Sequence, residues 1–176
     1  MERNKNIIFL RKTDMDIAEV IGQVQRIIET PLMQQIYQTM TGGKLKMLTV
    51  TKSEITTSAY ESPRGASQLL GIGLGGSLTG KHADIVITDD IVNRLDRSSR
   101  AEREKTKAIY QELQNVKNRG GRIINTGTPW HREDAFLLMP VPERYDCYQT
   151  GLISKEDLEK LRTSMVPSLF AANYEL

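Results

Sequence analysis

The stretch Ala83-Asp84-Ile85-Val86-Ile87-Thr88-Asp89-Asp90 determines how the rest of the chain is interpreted. Its centre is β-branched and mostly apolar, which is typical of a parallel strand buried on both faces. It ends in two adjacent carboxylates, and because aspartate is a poor strand residue the strand is expected to stop there. Ligands of open α/β sheets bind beyond the carboxyl ends of such strands. The stretch therefore predicts a buried strand with two acids at a ligand-binding edge.

Two acids in this position have the form of a Walker B element. One carboxylate would hold a hydrated Mg²⁺, and its neighbour would orient a water molecule. The same eight residues also fit a strand followed by an acidic turn with no ligand. The octapeptide alone leaves both interpretations open.

The composition is that of one ordinary globular domain with a core. Of the 176 residues, 39% are hydrophobic and 26% are charged. With 24 basic and 22 acidic residues the net charge is +2, which is too balanced to indicate nucleic acid or a membrane. The single cysteine, Cys147, cannot form an internal disulfide, which suits a reducing compartment. No apolar run approaches the roughly 20 residues that a membrane span needs, and the segment after Met1 does not have the pattern of a signal peptide.

Hydrophobic periodicity predicts alternating strands and helices, and hence a mainly parallel sheet with helical crossovers. Strands are expected over 6–11, 45–51, 54–60, 68–72, 83–88, 122–126 and 145–150. Helices are expected over 13–30, 32–40, 96–118 and 154–164. Thr13 with Asp16 predicts a capping box at the first helix. Ser98 or Ser99 would cap the long helix, and Gly120-Gly121 would end it.

Two glycine-rich matches are weaker than they look. The segment 71–76 matches G-x-G-x-x-G, but a strand rather than a helix is expected next, which argues against a dinucleotide site and a nicotinamide oxidoreductase. The segment 75–82 nearly matches a P-loop, but His82 replaces the Mg²⁺-binding hydroxyl and again a strand follows. The sequence therefore contains no true Walker A motif. His82 and His131 fit hydrogen-bonded loop histidines better than metal ligands.

The order of these pieces resembles the ATPase domain of the large terminase subunit of tailed bacteriophages, the motor that packages DNA into proheads. The resemblance is carried by the glycine-rich loop, the segment 79–84, the strand ending in Asp89-Asp90, the long helix, and the segment 126–134. The segments 7–14 and 168–174 also resemble that family. The resemblance implies an α/β fold of the RecA/ASCE P-loop NTPase type, with a mainly parallel sheet and flanking helices, incomplete at its N-terminal edge. Residues 1–150 would form a partial ATPase domain, and residues 151–176 a linker helix and tail toward a nuclease domain.

The resemblance also implies roles for individual residues. Asp89 would be the Walker B acid that binds the cofactor's Mg²⁺ through water, and Asp90 would polarise the attacking water. Thr126-Gly127-Thr128 would be the coupling motif, with the two threonines sensing the γ-phosphate and Gly127 lying at the nucleotide.

A trans-acting cationic finger is a further part of the family's machinery. Lys81 lies where relatives often carry arginine, so the resemblance makes it a candidate for that finger. Lysine keeps the charge but lacks the bidentate fork of arginine. Arg64, Arg94 and Arg97 are the other candidates.

The function implied is that of a segment of an ATP-driven motor that moves double-stranded viral DNA into proheads. Its cofactors would be ATP and Mg²⁺. Its partners would be DNA, a small terminase subunit, a portal protein and further copies in a ring, in the host cytoplasm at the assembling prohead and without a membrane. Because the chain opens on a core strand and lacks Walker A, it is expected to be an internal piece without P-loop or nuclease, and inactive alone. The alternatives are a fragment of a helicase-type RecA-like ATPase and a catalytically inactive binding module.

Overall fold

The computed structural model describes residues 4–62 and 65–175 and contains a six-stranded sheet. The strands are β1 (Ile7–Arg11), β2 (Met47–Val50), β3 (Glu54–Thr57), β4 (Leu69–Gly73), β5 (Ala83–Asp89) and β6 (Lys117–Thr126). Their order is β2-β3-β4-β1-β5-β6. The four neighbouring strands β4, β1, β5 and β6 run parallel, whereas β3 is antiparallel to both of its neighbours. The prediction of an α/β fold with a mostly parallel sheet is thus confirmed.

Seven α-helices are present in the described part of the chain, besides a 3₁₀-helix at Ala135–Leu138 and a π-helix at Ala171–Glu175. The α-helices are α1 (Asp14–Ile28), α2 (Pro31–Thr41), α3 (Arg94–Ser98), α4 (Arg100–Val116), α5 (Cys147–Thr150), α6 (Lys155–Ser164) and α7 (Pro167–Phe170). Helix α1 packs directly on the sheet, in agreement with the predicted flanking helices. None of the helices within the described residues is both long and apolar enough to span a bilayer.

The chain divides into two compact units. The first consists of Met1–Ile91 with Gln111–Thr126 and holds the whole sheet, α1 and α2. The second consists of Val92–Tyr110 with Gly127–Leu176. The predicted domains, 1–150 and 151–176, stay a prediction.

The core of the first unit forms where α1 packs on the sheet. Ile17 and Ile21 of α1 are buried together with Ile55 of β3. The predicted capping box is confirmed, since the Thr13 hydroxyl accepts from the Asp16 backbone N–H and the Asp16 carboxylate accepts from that of Thr13. This box fixes the point at which the chain leaves β1 and begins α1.

Strand β4 approaches α1 so closely that it needs glycine at two positions. A Cβ added at Gly71 would lie 2.4 Å from Cγ2 of Ile17, and one added at Gly73 would lie 2.6 Å from Oδ1 of Asp14. The Gly73 backbone N–H donates to that same oxygen at 3.0 Å. The first two glycines of the G-x-G-x-x-G match therefore serve helix–strand packing within β4, which lies one residue further along the chain than the strand expected over 68–72.

The predicted end of the long helix is wrong. Gly120-Gly121 does not end the long helix, because α4 stops at Val116 and both glycines lie inside β6. The β5–β6 register shifts between Ala83, opposite Lys117, and Ile85, opposite Arg122, and the extra β6 residues of this irregularity include the two glycines.

The strand expected over 145–150 is instead the short helix α5. Asp146 caps it by accepting from the N–H groups of Tyr148 and Gln149, and this local capping prevails over the strand preference of the tyrosines.

The helix expected over 96–118 is two helices. Asn93 caps α3, while the Ser99 hydroxyl accepts from the Glu102 N–H in the first turn of α4.

The second unit contains a loop organised by one buried carboxylate. Asp134 is 1% exposed. Its oxygens accept from the backbone N–H groups of Trp130, His131 and Phe136 at 2.9–3.0 Å. Three such bonds to one charged acceptor hold the segment 130–136 in a fixed conformation. Ser154 caps α6 by accepting from the Asp157 backbone N–H at 3.1 Å.

Candidate functional site

The carboxyl ends of β5 and β6 bring the predicted acid and the predicted threonine together. Asp89 and Thr126 are register partners on these neighbouring parallel strands. The Thr126 hydroxyl donates to Oδ1 of Asp89 at 2.6 Å. The acid and the threonine that the resemblance singles out thus lie at one edge of the sheet, while their roles stay predictions.

Arg11, which is not among the predicted site residues, joins both acids at this edge. It is the last residue of β1, the strand next to β5 on its other side. Its Nε lies 3.0 Å from Oδ2 of Asp89, and one of its terminal nitrogens lies 3.4 Å from Oδ2 of Asp90. A single guanidinium thus partly neutralises two adjacent carboxylates.

Asp90 has an unusual backbone and an altered proton affinity. Its φ of 49° makes it the one non-glycine residue with positive φ in the described part of the chain. Such outliers cluster at functional sites. Partial burial, together with the neighbouring charge of Asp89, raises the pKa of the Asp90 carboxyl above its ordinary value, although Arg11 acts in the opposite direction. Asp90 is therefore a stronger proton acceptor than a free aspartate.

The N-terminus of α1 lies beside this site but is closed by its own side chains. Asp14 accepts from the Gly73 N–H, and the Thr13–Asp16 box occupies the first turn. Asp16 also contributes to the raised pKa of Asp90. Because carboxylates already fill this helix end, it is not open to a phosphate group.

The donor chemistry of the edge fits magnesium held mainly through water. Mg²⁺ prefers oxygen ligands and usually binds through one or two carboxylates, several waters and substrate phosphates. Asp89 and Asp90 offer such oxygens, and the Asp90 side chain is 54% exposed. Within residues 4–62 and 65–175, no group of three or more acidic, histidine or cysteine side chains is arranged to hold a metal by itself.

Lys81 lies at the opposite edge of the sheet from Asp89. It precedes β5, whereas Asp89 ends that seven-residue strand, so the two are separated by about 20 Å along the strand direction. The near-P-loop segment 75–82 starts just beyond β4, whose last residue, Gly73, pairs with Arg11 at the Asp89 edge, and it ends at the far edge just before β5. Its Gly80-Lys81 end therefore does not lie beside Asp89 of the same chain.

The remaining candidates are not assembled at this edge within the first unit. Gly127 and Thr128 follow Thr126 directly in the chain and belong to the second unit, as do Arg94 and Arg97. Arg97 donates to the hydroxyl of Ser168 at 2.7 Å. Arg64 lies outside the described residues.

Each histidine takes part in a hydrogen bond, local for His131 and with a residue 76 positions away for His82. His131 Nδ1 accepts from the Glu133 N–H at 3.0 Å, and the His82 carbonyl accepts from the Asn6 side chain at 2.8 Å. The His131 contact agrees with the interpretation of that residue as a hydrogen-bonded loop histidine, whereas the His82 contact involves only the backbone, so the interpretation of the His82 ring stays a prediction.

Comparison of the chain with models of protein families and with curated protein sequences gives no match. The terminase interpretation therefore depends on motif order and on the geometry of the edge formed by Arg11, Asp89, Asp90 and Thr126.

Proposed function

We propose that this chain carries the metal-binding and coupling part of an ATPase site in a motor subunit that moves double-stranded viral DNA into proheads. The observation that carries the proposal is the 2.6 Å hydrogen bond between Thr126 and Asp89 at the ends of adjacent parallel strands. It links the proposed metal-binding acid to the strand that leads into the segment 127–134. In this proposal, hydrolysis of the nucleotide at Asp89 would be transmitted to the segment 127–134 through the hydrogen bond between Asp89 and Thr126.

The chemistry assigned to the residues is as follows. Asp89 would hold Mg²⁺ through water, and the ion would neutralise charge on the phosphates of ATP. Asp90, with its raised pKa, would accept a hydrogen bond from the attacking water and orient it. Arg11 would fix the orientation of both carboxylates through its ion pairs. Thr126 would sense the occupied state of the site through Asp89.

Phosphoryl transfer also needs a phosphate cradle and a stabilising cation. In this proposal the cradle is a P-loop on another polypeptide segment, since no segment of this sequence fits one. Lys81, at the far edge of the sheet, is suited only to act on a neighbouring copy in a ring. The proposed partners are duplex DNA, a small terminase subunit and a portal protein, at the assembling prohead in the host cytoplasm.

ATP turnover tests the proposal. The chain is assayed alone, and then with an added polypeptide that carries a G-x-x-x-x-G-K-[ST] element followed by a helix. We expect no turnover by the chain alone and Mg²⁺-dependent turnover by the mixture. Robust turnover by the 176-residue chain alone would show that the motif assignment is wrong.

A second candidate, a binding module without catalysis, is favoured by one observation. Both carboxylate oxygens of Asp89 already have partners within the chain, Thr126 on one side and Arg11 on the other. If this second candidate is right, the side chains of Arg11, Asp89, Asp90 and Thr126 have only a structural role. Asp89→Ala and Asp90→Ala would then leave unchanged the ATP turnover of the mixture with the P-loop polypeptide.

A further inference from the structure

Three neighbouring parallel strands are each preceded or begun by basic residues. Lys5 precedes β1, and Lys81 and His82 precede β5. Lys117 and Arg119 are the first and third residues of β6. Parallel strands begin at the same edge of a sheet, so these residues gather at the edge opposite Asp89. We call Lys5, Lys81, His82, Lys117 and Arg119 the basic edge.

A cavity of about 520 Å³ opens among these residues. Lys5, His82 and Arg119 line it, together with hydrogen-bonding groups of Asn6, Tyr60 and Asn118. Cations and polar side chains therefore line the same space, and the side-chain amides of Asn6 and Asn118 are held in place by donating to His82 and Asp84. This combination of side chains is the one that proteins use to contact phosphate and sugar oxygens.

Asp84 is the one acid among the described residues that line the cavity, and its carboxylate already has amide partners. One oxygen accepts from the Asn6 backbone N–H and the other from the Asn118 side chain, both at 3.1 Å. It forms no ion pair with a cation of the basic edge within the described residues. The Asp84 carboxylate is thus held by amide donors rather than by a cation of the basic edge.

The cations of the basic edge are free to meet a ligand. Across residues 4–62 and 65–175, Lys5, Lys81 and Arg119 take part in no ion pair, and Lys81 and Arg119 are exposed. The opposite edge of the sheet carries the acids of the candidate site. The net charge of +2 therefore conceals a separation of charge along the parallel strands.

We infer that the basic edge binds the phosphate backbone of a nucleic acid, and the choice of duplex DNA as that ligand rests on the proposed function. Strands spaced about 4.8 Å apart place the cations of β1, β5 and β6 over a length of about 10 Å. This covers roughly three phosphates of one DNA strand at 3.4 Å axial rise. Since the edge is built from loops and strand ends, with no helix to enter a groove, the binding is independent of base sequence.

The test is fluorescence anisotropy with a duplex of about 30 base pairs, without nucleotide, over about 50 to 200 mM salt. The variant Lys5→Ser/Lys81→Ser/Arg119→Ser removes three cations of the basic edge. We expect its affinity to fall at least about tenfold at the lowest salt, and the slope of log K against log salt to shrink by about 2 to 3. The matched control, Lys44→Ser/Lys46→Ser/Lys52→Ser, removes three exposed cations near β2 and β3 in the same unit. Thermal melting confirms that both variants are folded.

Several results would overturn the inference. These are a failure of the wild-type chain to bind duplex DNA, an equal loss in the control variant, and displacement of DNA by excess inorganic phosphate or ATP as effectively as by unlabelled duplex. Tighter binding of single-stranded RNA would overturn the choice of duplex DNA as the ligand. Asp89→Asn is expected to bind DNA as the wild type does. If it does so while the turnover test fails, the proposed function is wrong and phosphate-backbone binding still stands.

Discussion

The hydroxyl of Thr126 donates a hydrogen bond to the carboxylate of Asp89 at 2.6 Å, between register partners at the ends of β6 and β5. The length of this bond is typical of a hydroxyl donating to a charged acceptor. It joins two residues that lie 37 positions apart in the chain. The proposed role of Thr126 as a sensor depends on this contact.

Thr126→Val removes the donor while keeping the shape of the side chain. We expect the complemented ATPase to lose at least about tenfold in turnover, and the free energy of unfolding to change by less than about 1 kcal/mol, because Thr126 is exposed. Thr126→Ser keeps the hydroxyl and is expected to retain most of the activity. Equal turnover in the valine and serine variants would show that the hydroxyl has no part in coupling.

Arg11→Ala leaves Asp89 and Asp90 without their shared counter-charge. We expect the free energy of unfolding at neutral pH to fall by about 1 to 2 kcal/mol, since partly buried carboxylates then repel one another. Added MgCl₂ should raise the melting temperature of this variant more than that of the wild type, because the ion can replace the missing charge. Lys52→Ala, which removes an exposed cation elsewhere, is the control, and a similar Mg²⁺ response in both variants would argue against a cation site at Asp89.

Asp90→Asn is expected to stabilise the protein in a pH-dependent way. Because the folded-state pKa of Asp90 is raised, the folded chain binds this proton more tightly than the unfolded chain, so the wild type loses stability as pH rises through that pKa. Asparagine has no such loss and tolerates positive φ as aspartate does. The variant should melt about 1 to 3 °C higher than the wild type near neutral pH. The difference should vanish below the ordinary aspartate pKa of 3.8. A variant that melts lower at every pH would contradict the assigned shift.

Gly73→Ala tests the close approach of β4 to α1. The new Cβ would lie 2.6 Å from Oδ1 and 2.7 Å from the backbone nitrogen of Asp14, so the helix must shift. We expect a loss of about 1 to 3 kcal/mol in chemical denaturation. Gly75→Ala is the control, because an added Cβ there meets nothing within 4 Å. Equal stability of both variants would show that α1 can move away at little cost.

The contact between Asp89 and Thr126 could be predicted because it needs only local information. Each residue ends a short apolar run, and the two runs are joined by a long helix, which makes a parallel pair the expected arrangement. The contact of Arg11 with the same acids could not be predicted in this way. It depends on β1 lying next to β5 in the sheet, and that order is set by how the crossovers pack.

The two failures of prediction have different physical origins. Gly120-Gly121 is a reasonable helix stop by local rules, but pairing of β6 with β5 extends the strand through both glycines. The tyrosines around Cys147 favour a strand, yet the cap supplied by Asp146 gives a helix. In the first case long-range pairing decided the structure, and in the second a single side chain did.

The most direct test of the central claim is the Mg²⁺-dependent ATP turnover of Asp89→Asn in the complemented system. We predict a loss of at least about a hundredfold, because the amide cannot supply the negative charge that holds the ion. The matched control is Glu19→Gln, which neutralises an exposed acid on α1 and should keep full activity. Turnover by Asp89→Asn equal to that of Glu19→Gln would contradict the account.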